Sequence, residues 1–596
     1  MKNFKTKKRA LRLSSLYAGI SVALLSVVST PLLAEETQNT DADVEKIVVT
    51  GSPVFRNRTS SVSPQLEYGG LFFEQFEPTS VGDMLKRTPG VSFSSDVGEY
   101  DAPQMRGLGE GYTQVLINGK KVPGSGSDRS VLVDRIPAEM VDRIQVIRSP
   151  SADQDSQGVG GTINIILKDG ASFDGGSVKI GAFRAGDNTI RTNGAFGYGG
   201  NTNDMSWTVS ANFQQRYVHK TKIEQLYKAD GDVTNGFTVG DLFDDQLEID
   251  VRDSDDISLS GGISYDLSST SSIDFQANYL NTERSEIQTE DIYNLEDEER
   301  EFTQDDVYID EESINFSVAY RDDIGDNSNY ELSASYSNTT DVEDITKVVR
   351  ADPADAWEFD AFEFEDTKDS EILLGGFFEH VFENEIEFKT GLDASMKDRD
   401  ESIIEYEFDS GTGVIEGIDL EQTYDAQEDR YDGYVLGSKE IFDGGSLELG
   451  LRIEHTSRTI TAEGVSFNSS STQVNPSAHF SAELNDTNTL RVSLAQTVKR
   501  PNFKQLAPIT QIDEPEDGDR KQGNPDLKDE VSIGLDVGYE HTFGKGIIGF
   551  NAFYRDITDV IEEGALGSTE DGGTLYSYNN AGDGSVWGLE IDFSAP

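Results

Sequence analysis

The sequence predicts a mainly β protein: an antiparallel transmembrane β-barrel over residues 171–596, preceded by a small α/β domain over residues 61–170. Three observations carry that expectation. Apolar and polar residues alternate with period 2, again and again, from about Ser177 onwards, so each such strand has one greasy face that needs a core or lipid. Short polar turns alternate with long acidic connections, the loop pattern of an outer-membrane barrel. Charge is also partitioned along the 596 residues: 1–34 hold six basic and no acidic residues, 35–168 hold 13 and 19, and 169–596 hold 30 and 91, which is the whole formal charge of −61.

In chain order, Lys2, Lys5, Lys7, Lys8, Arg9 and Arg12 form a basic start, an apolar run extends from Leu16 to Val28, and Thr30 to Ala34 is followed by Glu35-Glu36. That order reads as a cleavable signal peptide over 1–34, cut after Ala34. The alternative, a membrane anchor, would need a longer apolar run. Residues 35–60 read as a polar tail in which Ile47-Val48-Val49 stands out as a β-branched run. Such a segment suits strand addition to a partner's exposed sheet edge; the plainer reading is a first strand of the domain that follows.

Within 61–170, Ser80 is placed to cap a short helix, with Asp83 three residues on and Pro89-Gly90 to stop it. Val115-Leu116-Ile117 leads into Asn118-Gly119, a hairpin signal, and Lys120-Lys121-Val122 returns. A helical turn over Pro137–Val141 feeds a strand over Arg143–Arg148, and Thr162–Leu167 is a further strand after the glycines at 158, 160 and 161.

Barrel strands are clearest in Leu447–Glu454, Ile314–Tyr320 and Ile533–Tyr539, where every second residue is apolar. Turns are expected at Leu267–Thr270, Asp322–Asn329, Asp443–Gly445 and Leu484–Asp486. Long loops are expected at Val218–Asp255, Ser285–Glu311, Thr340–Asp366 and Pro501–Lys528. Tyr265, Tyr279, Tyr320, Tyr336 and Tyr539 fall where an interfacial girdle would place them. The strands number about sixteen, the last over Ser585–Phe593. A plugged barrel is expected to have about 22, so the reading is of an incomplete barrel, short by about six strands, with a gap between the strand near Ser177 and the last.

Composition excludes several functions. With no cysteine there is no disulfide, thiolate metal site or cysteine catalysis. The acidity argues against a nucleic-acid partner, which needs a basic surface. His219, His380, His455, His479 and His541 lack metal-ligand spacing. Asp230-Gly231-Asp232 opens like a calcium loop but has Asn235 at its glycine position, and Gly107–Gly111 lacks the dinucleotide spacing. No metal site, cofactor or catalytic group is therefore expected, and no enzyme. The acidic tracts Glu296–Glu299, Asp305-Asp306 and Asp310–Glu312 could steer cationic ligands; the blander reading is a surface adapted to a saline medium that screens them.

The stretches 80–91 (SVGDMLKRTPGV), 104–107 (QMRG), 115–119 (VLING), 136–150 (IPAEMVDRIQVIRSP) and 158–166 (GVGGTINII) together resemble the plug domain of TonB-dependent outer-membrane receptors. Glu45-Lys46-Ile47-Val48-Val49-Thr50-Gly51 resembles the TonB box, which a periplasmic energy-coupling protein grasps. Asn524–Lys528 resembles a motif opening a late barrel strand. The sequence departs from the family at Gln145, often Glu, and Ser149, often Gly, positions that help lock plug to barrel in relatives. The resemblance implies a TonB-coupled receptor in the outer membrane of a Gram-negative bacterium, a monomer bedded in lipid and lipopolysaccharide. It implies energised uptake of a scarce small-molecule nutrient such as a ferric siderophore, with cobalamin or a glycan as other cargoes and a passive porin or surface receptor as the other class. Ligand contacts are expected at the plug apex, in Tyr100, Glu110, Tyr112, Ser127 and Arg129. Structural roles in the plug are expected for Arg106, Gly107, Asn118, Gly119, Arg143, Arg148, Gly160 and Gly161.

Overall fold

The computed structural model describes residues 61–595 except 94–101, 110, 122–132, 169–174, 233–235, 296–298, 407, 410–411, 419, 515–518, 545 and 570–572. Among the described residues, seven strands build the α/β domain: β1 (Gln65–Gly69), β2 (Val91–Phe93), β3 (Pro103–Met105), β4 (Thr113–Ile117), β5 (Lys120–Lys121), β6 (Val141–Ile147) and β7 (Gly161–Leu167). Five form one sheet in the order β1-β6-β7-β4-β5, parallel between β4 and β7 and antiparallel elsewhere. The helix Val81–Leu85 starts where the sequence places it, because the Ser80 side chain accepts the Asp83 amide at 3.1 Å. Asn118 and Gly119 both have positive φ, 51° and 75°, which the tight β4–β5 hairpin requires. Leu66, Tyr68, Phe73, Leu85, Ile144 and Ile163 close the core; each buried aliphatic or aromatic side chain contributes roughly 1.5–3 kcal/mol.

Gly161 shows how tightly that core is built. Its φ is +138°, and an added Cβ would lie 2.9 Å from the Met105 side chain and 3.1 Å from the Ile147 carbonyl oxygen. Gly161→Ala is expected to destabilise the plug by about 1–3 kcal/mol. Thermal unfolding of the purified protein in detergent would show it.

The rest of the chain is a large antiparallel ring. Among the described residues eighteen strands take part; two of them, Thr510–Glu514 and Asp519–Gln522, form a hairpin within the connection after Lys499, leaving sixteen that build the wall. Their burial is inside out. Asp256, Arg399 and Glu454 are buried on the inner face, whereas Leu392 and Leu589 stand 72% and 78% exposed on the outer one. Such a surface needs an apolar medium rather than water.

Three expected loops are corrected by the structure. Val218–Asp255 belongs to the strands Met205–Asp232 and Gly236–Asp266, paired almost throughout; Ser285–Glu311 and Thr340–Asp366 lie mostly in strands as well. Beyond the lipid band both faces of a strand meet water, so the apolar alternation fades while the backbone ladder continues. Pro501–Lys528 remains a connection. The sheet order places the last wall strand, Thr574–Ser594, beside the first, Gly175–Arg184, yet the expected gap between them is not bridged by a ladder among the described residues. The ladders these two strands make are with their other neighbours, and no register among the described residues joins Ser177–Phe183 to Ser585–Phe593.

Candidate ligand chamber above the plug

The plug sits inside the ring, held by buried ion pairs. Arg106, in a left-handed backbone conformation (φ 62°), lays its guanidinium 4.8 Å over the Phe553 ring. It donates to the Arg148 carbonyl at 3.0 Å and to wall carboxylates Asp536 and, at 3.4 Å, Glu590. Arg148 pairs with Glu590 at 3.1 Å. Arg555 of the wall reaches in, donating to the carbonyls of Arg148 and Val159 at 3.0 and 3.1 Å and to Asp536 at 2.7 Å. Arg106, Asp536 and Arg555 are almost wholly buried and Glu590 is largely so, so each charge depends on its partner.

A second cluster holds the plug segment after Ser149. Asp155 pairs with Arg430 at 2.7 Å, and the Ser156 hydroxyl donates to Glu454 at 2.6 Å. Glu454, with no solvent exposure, also faces Arg500 at 2.7 Å and Arg452 at 3.0 Å. Nearby, Ser151 donates to Glu448 at 2.6 Å and Lys389 pairs with Asp153 at 2.7 Å. A third contact lies across the lumen, where Arg135 meets Glu311 and Asp134 meets Arg216 at 3.4 Å.

Of the expected apex residues, Tyr112 is described. Its hydroxyl donates to Glu530 at 2.6 Å, and the Lys499 ammonium lies 3.9 Å over its ring. Burial pushes its phenol well above the ordinary range, and Glu530 adds to the shift. Hydroxyl and ring are both engaged by the wall, so Tyr112 ties plug to barrel in this state. Tyr112→Phe removes a hydrogen bond to a charged acceptor and is expected to cost about 1.5–3 kcal/mol, read as a lower urea midpoint of the detergent-solubilised protein. Tyr100, Glu110, Ser127, Arg129 and the box Glu45–Gly51 lie outside the described residues.

The structural set divides. Arg106 and Arg148 face the wall, whereas Arg143 stays within the plug, pairing with Glu67 at 3.2 Å and Asp142 at 2.6 Å. Gln145 donates to Glu67 and accepts from Asn164, so that position bonds inside the plug sheet. Gly107 turns with φ +70°, and Gly160 lies under the Tyr112 and Met105 carbonyls, 3.3 and 3.2 Å from where a Cβ would sit. The wall partners Glu454, Arg430, Arg500, Asp536 and Arg555 went unnoticed in the sequence. Their only signal is a charge at an inward position of an alternating strand, as with Arg452 and Glu454 in Leu447–Glu454.

Above the plug, the connection after Lys499 folds back into the lumen. Asn502 and Gln505 form a reciprocal cap on the helix Phe503–Leu506. Phe503, Leu506 and Leu527 pack on Tyr424, Ile403 and Ile460 of the wall, and Lys504 reaches Glu365 at 3.2 Å. Asn524 of the late motif donates to the Tyr578 carbonyl at 2.9 Å, anchoring the approach to the strand Glu530–Phe543. The connection thus covers part of the inner wall with a packed loop.

A barrel with an apolar outer face and a folded, ion-paired domain in its lumen defines a plugged outer-membrane receptor. Residues 69–162 match the TonB-dependent Receptor Plug Domain, and residues 361–596 match the Outer membrane protein beta-barrel family. The chain belongs to the TonB-dependent outer-membrane receptors. Membership implies coupling to a TonB protein. Similar folds include a variant of the ferric enterobactin receptor of Pseudomonas aeruginosa solved with enterobactin, at 18% identity and TM-score 0.60, covering 88% of this chain and 78% of that one. The siderophore receptor PirA of the same organism matches at 18% identity and TM-score 0.58, over 89% and 82%. The alcaligin outer-membrane receptor FauA of Bordetella pertussis matches at 14% and 0.57, over 90% and 78%.

Proposed function

We propose that the protein is an energised uptake receptor for a scarce nutrient, with a ferric siderophore as the cargo class. In this reading the ligand binds in the chamber above the plug, and the box Glu45–Gly51 transmits the pull of TonB. The reading rests chiefly on one observation: a plug held by buried charges that would not part without work being done on it. The siderophore receptors of similar fold support the cargo class. Residues 1–34 direct export, and the barrel works as a monomer in lipid and lipopolysaccharide.

The test is uptake of radioactive iron carried by a panel of siderophores, in a Gram-negative host stripped of its own receptors, with and without TonB. TonB-dependent accumulation of at least one ferric siderophore is the expected result. Accumulation indifferent to TonB would indicate a passive pore. Growth on cobalamin or a glycan, with no iron uptake, would reassign the cargo.

A further inference from the structure

Three pairs of like charges face each other on the inner wall. The ladders set Glu311 opposite Asp341, Glu343 opposite Glu365 and Glu363 opposite Glu405, across the strands Glu299–Asp323, Ser328–Arg350, Glu358–Val381 and Glu387–Glu405. Residues directly opposite share a face, and this face is the inner one, because Glu311 meets Arg135 of the plug. From that contact the pairs climb away from the plug, two residues at each strand. Like charges set directly opposite destabilise a sheet, so the arrangement calls for positive charge in the lumen.

The wall's own cations nearby are engaged with other carboxylates. Arg399 and Lys397 share Asp369, Arg284 pairs with Glu286 at 2.5 Å, and Lys347 reaches Asp360 at 3.8 Å. Two cations arrive from other parts of the chain: Arg135 at Glu311, and Lys504 of the packed loop, 3.2 Å from Glu365. Asp341, Glu343 and Glu363 make no ion pair among the described residues. All three are half-buried, whereas carboxylates that only adapt a surface to salt stand in water.

A separate observation points the same way. Glu401 is 3% exposed, and its Oε2 accepts the Tyr424 hydroxyl at 2.6 Å. Its buried Oε1 accepts no hydrogen bond and turns towards Lys504, whose ammonium stops 3.8 Å away. A buried carboxylate oxygen in that state calls for a donor. Among the described residues no group of carboxylates converges as a metal ion would require. An ammonium, with three donors and no fixed geometry, fits spaced acceptors better.

We propose that this arc is the counter-charge of the cargo: the receptor takes a ferric siderophore that carries a protonated amine, whose ammonium displaces Lys504 from Glu365 and Glu401. Glu343 and Glu363 complete the seat, and Lys504 holds it while no cargo is bound. The same field repels a polyanionic iron chelate. This deepens the uptake reading above and rests on it.

The test is equilibrium dialysis of the purified full-length receptor in detergent against three complexes of radioactive iron. The first is a linear ferric trihydroxamate with a free terminal amine, the second is the same complex with that amine acetylated, and the third is a triply anionic ferric tris-catecholate. The amine form is expected to bind about tenfold or more tighter than its acetylated twin. Glu343→Gln combined with Glu363→Gln keeps the shape and removes the charge, so the two affinities should come within about twofold of each other. Lys504→Met vacates the seat and should tighten the amine form alone by about threefold or more, a gain that misfolding cannot produce. Equal affinity for the amine and acetylated forms in the unaltered receptor overturns the proposal. So does a preference that survives the glutamine variant, tighter binding of the tris-catecholate, or no binding of either trihydroxamate. Dialysis uses neither TonB nor cells, so TonB-dependent accumulation of an anionic complex would refute the charge assignment and leave the uptake reading standing. Accumulation indifferent to TonB, with the amine preference intact, would do the reverse.

Discussion

A receptor carrying Glu454→Ala is expected to lose about 3–5 kcal/mol of stability, the usual cost of leaving buried charges without their partner. Glu454 is fully buried and faces Arg500 at 2.7 Å, Arg452 at 3.0 Å and Arg430 at 3.6 Å, and accepts the Ser156 hydroxyl of the plug at 2.6 Å. Removing it leaves three guanidinium groups with Asp155, Asp432 and Asp393 as the remaining carboxylates. The substitution also cuts a plug-to-wall bond, so the plug should become accessible to protease before the barrel melts. The measurement is a urea titration of folded, heat-modifiable receptor on a cold gel, with limited proteolysis alongside. Combining Glu454→Ala with Arg500→Met should recover part of the loss, because it removes one of the orphaned charges along with its partner. If the single variant unfolds at the wild-type urea concentration, the cluster contributes nothing to holding the plug.

The legible parts of this protein are those whose signals are local. Ser80 and Asp83 announce a helix start within four residues, and Asn118-Gly119 announces a hairpin within two; both form as the residues dictate. Alternation in Leu447–Glu454 places Arg452 and Glu454 on one face, which is the inward one. What alternation could not convey is length. Arg216 lies opposite Ser254 in a continuous ladder, yet Val218–Asp255 reads as an acidic loop because neither face there is apolar. Nor could it convey partners: Arg106 and Asp536 are 430 residues apart, and Tyr112 and Glu530 are 418. Barrel closure decides such encounters, through register accumulated strand by strand. Inner-wall carboxylates such as Asp256, Asp369 and Glu428 each face an arginine.

Val48→Pro is expected to abolish TonB-dependent iron uptake, a loss of about a hundredfold or more, while ligand still binds at the cell surface. Val48 is the centre of the β-branched run Ile47-Val48-Val49 in a mainly polar tail. Pairing with a partner's sheet edge needs the backbone N–H of alternate residues, and proline removes one while fixing φ near −65°. The chamber and the plug clamps lie in other parts of the chain, so surface binding and the urea midpoint should stay at wild-type values. Two readouts taken together make the result specific: equilibrium binding of a radioactive ferric siderophore to de-energised cells, and its accumulation in energised ones. Val48→Thr, β-branched with its N–H intact, should retain most of the accumulation. Full accumulation with Val48→Pro would mean that TonB grasps some other part of the tail. Loss of surface binding would instead mean that the run belongs to the folded plug.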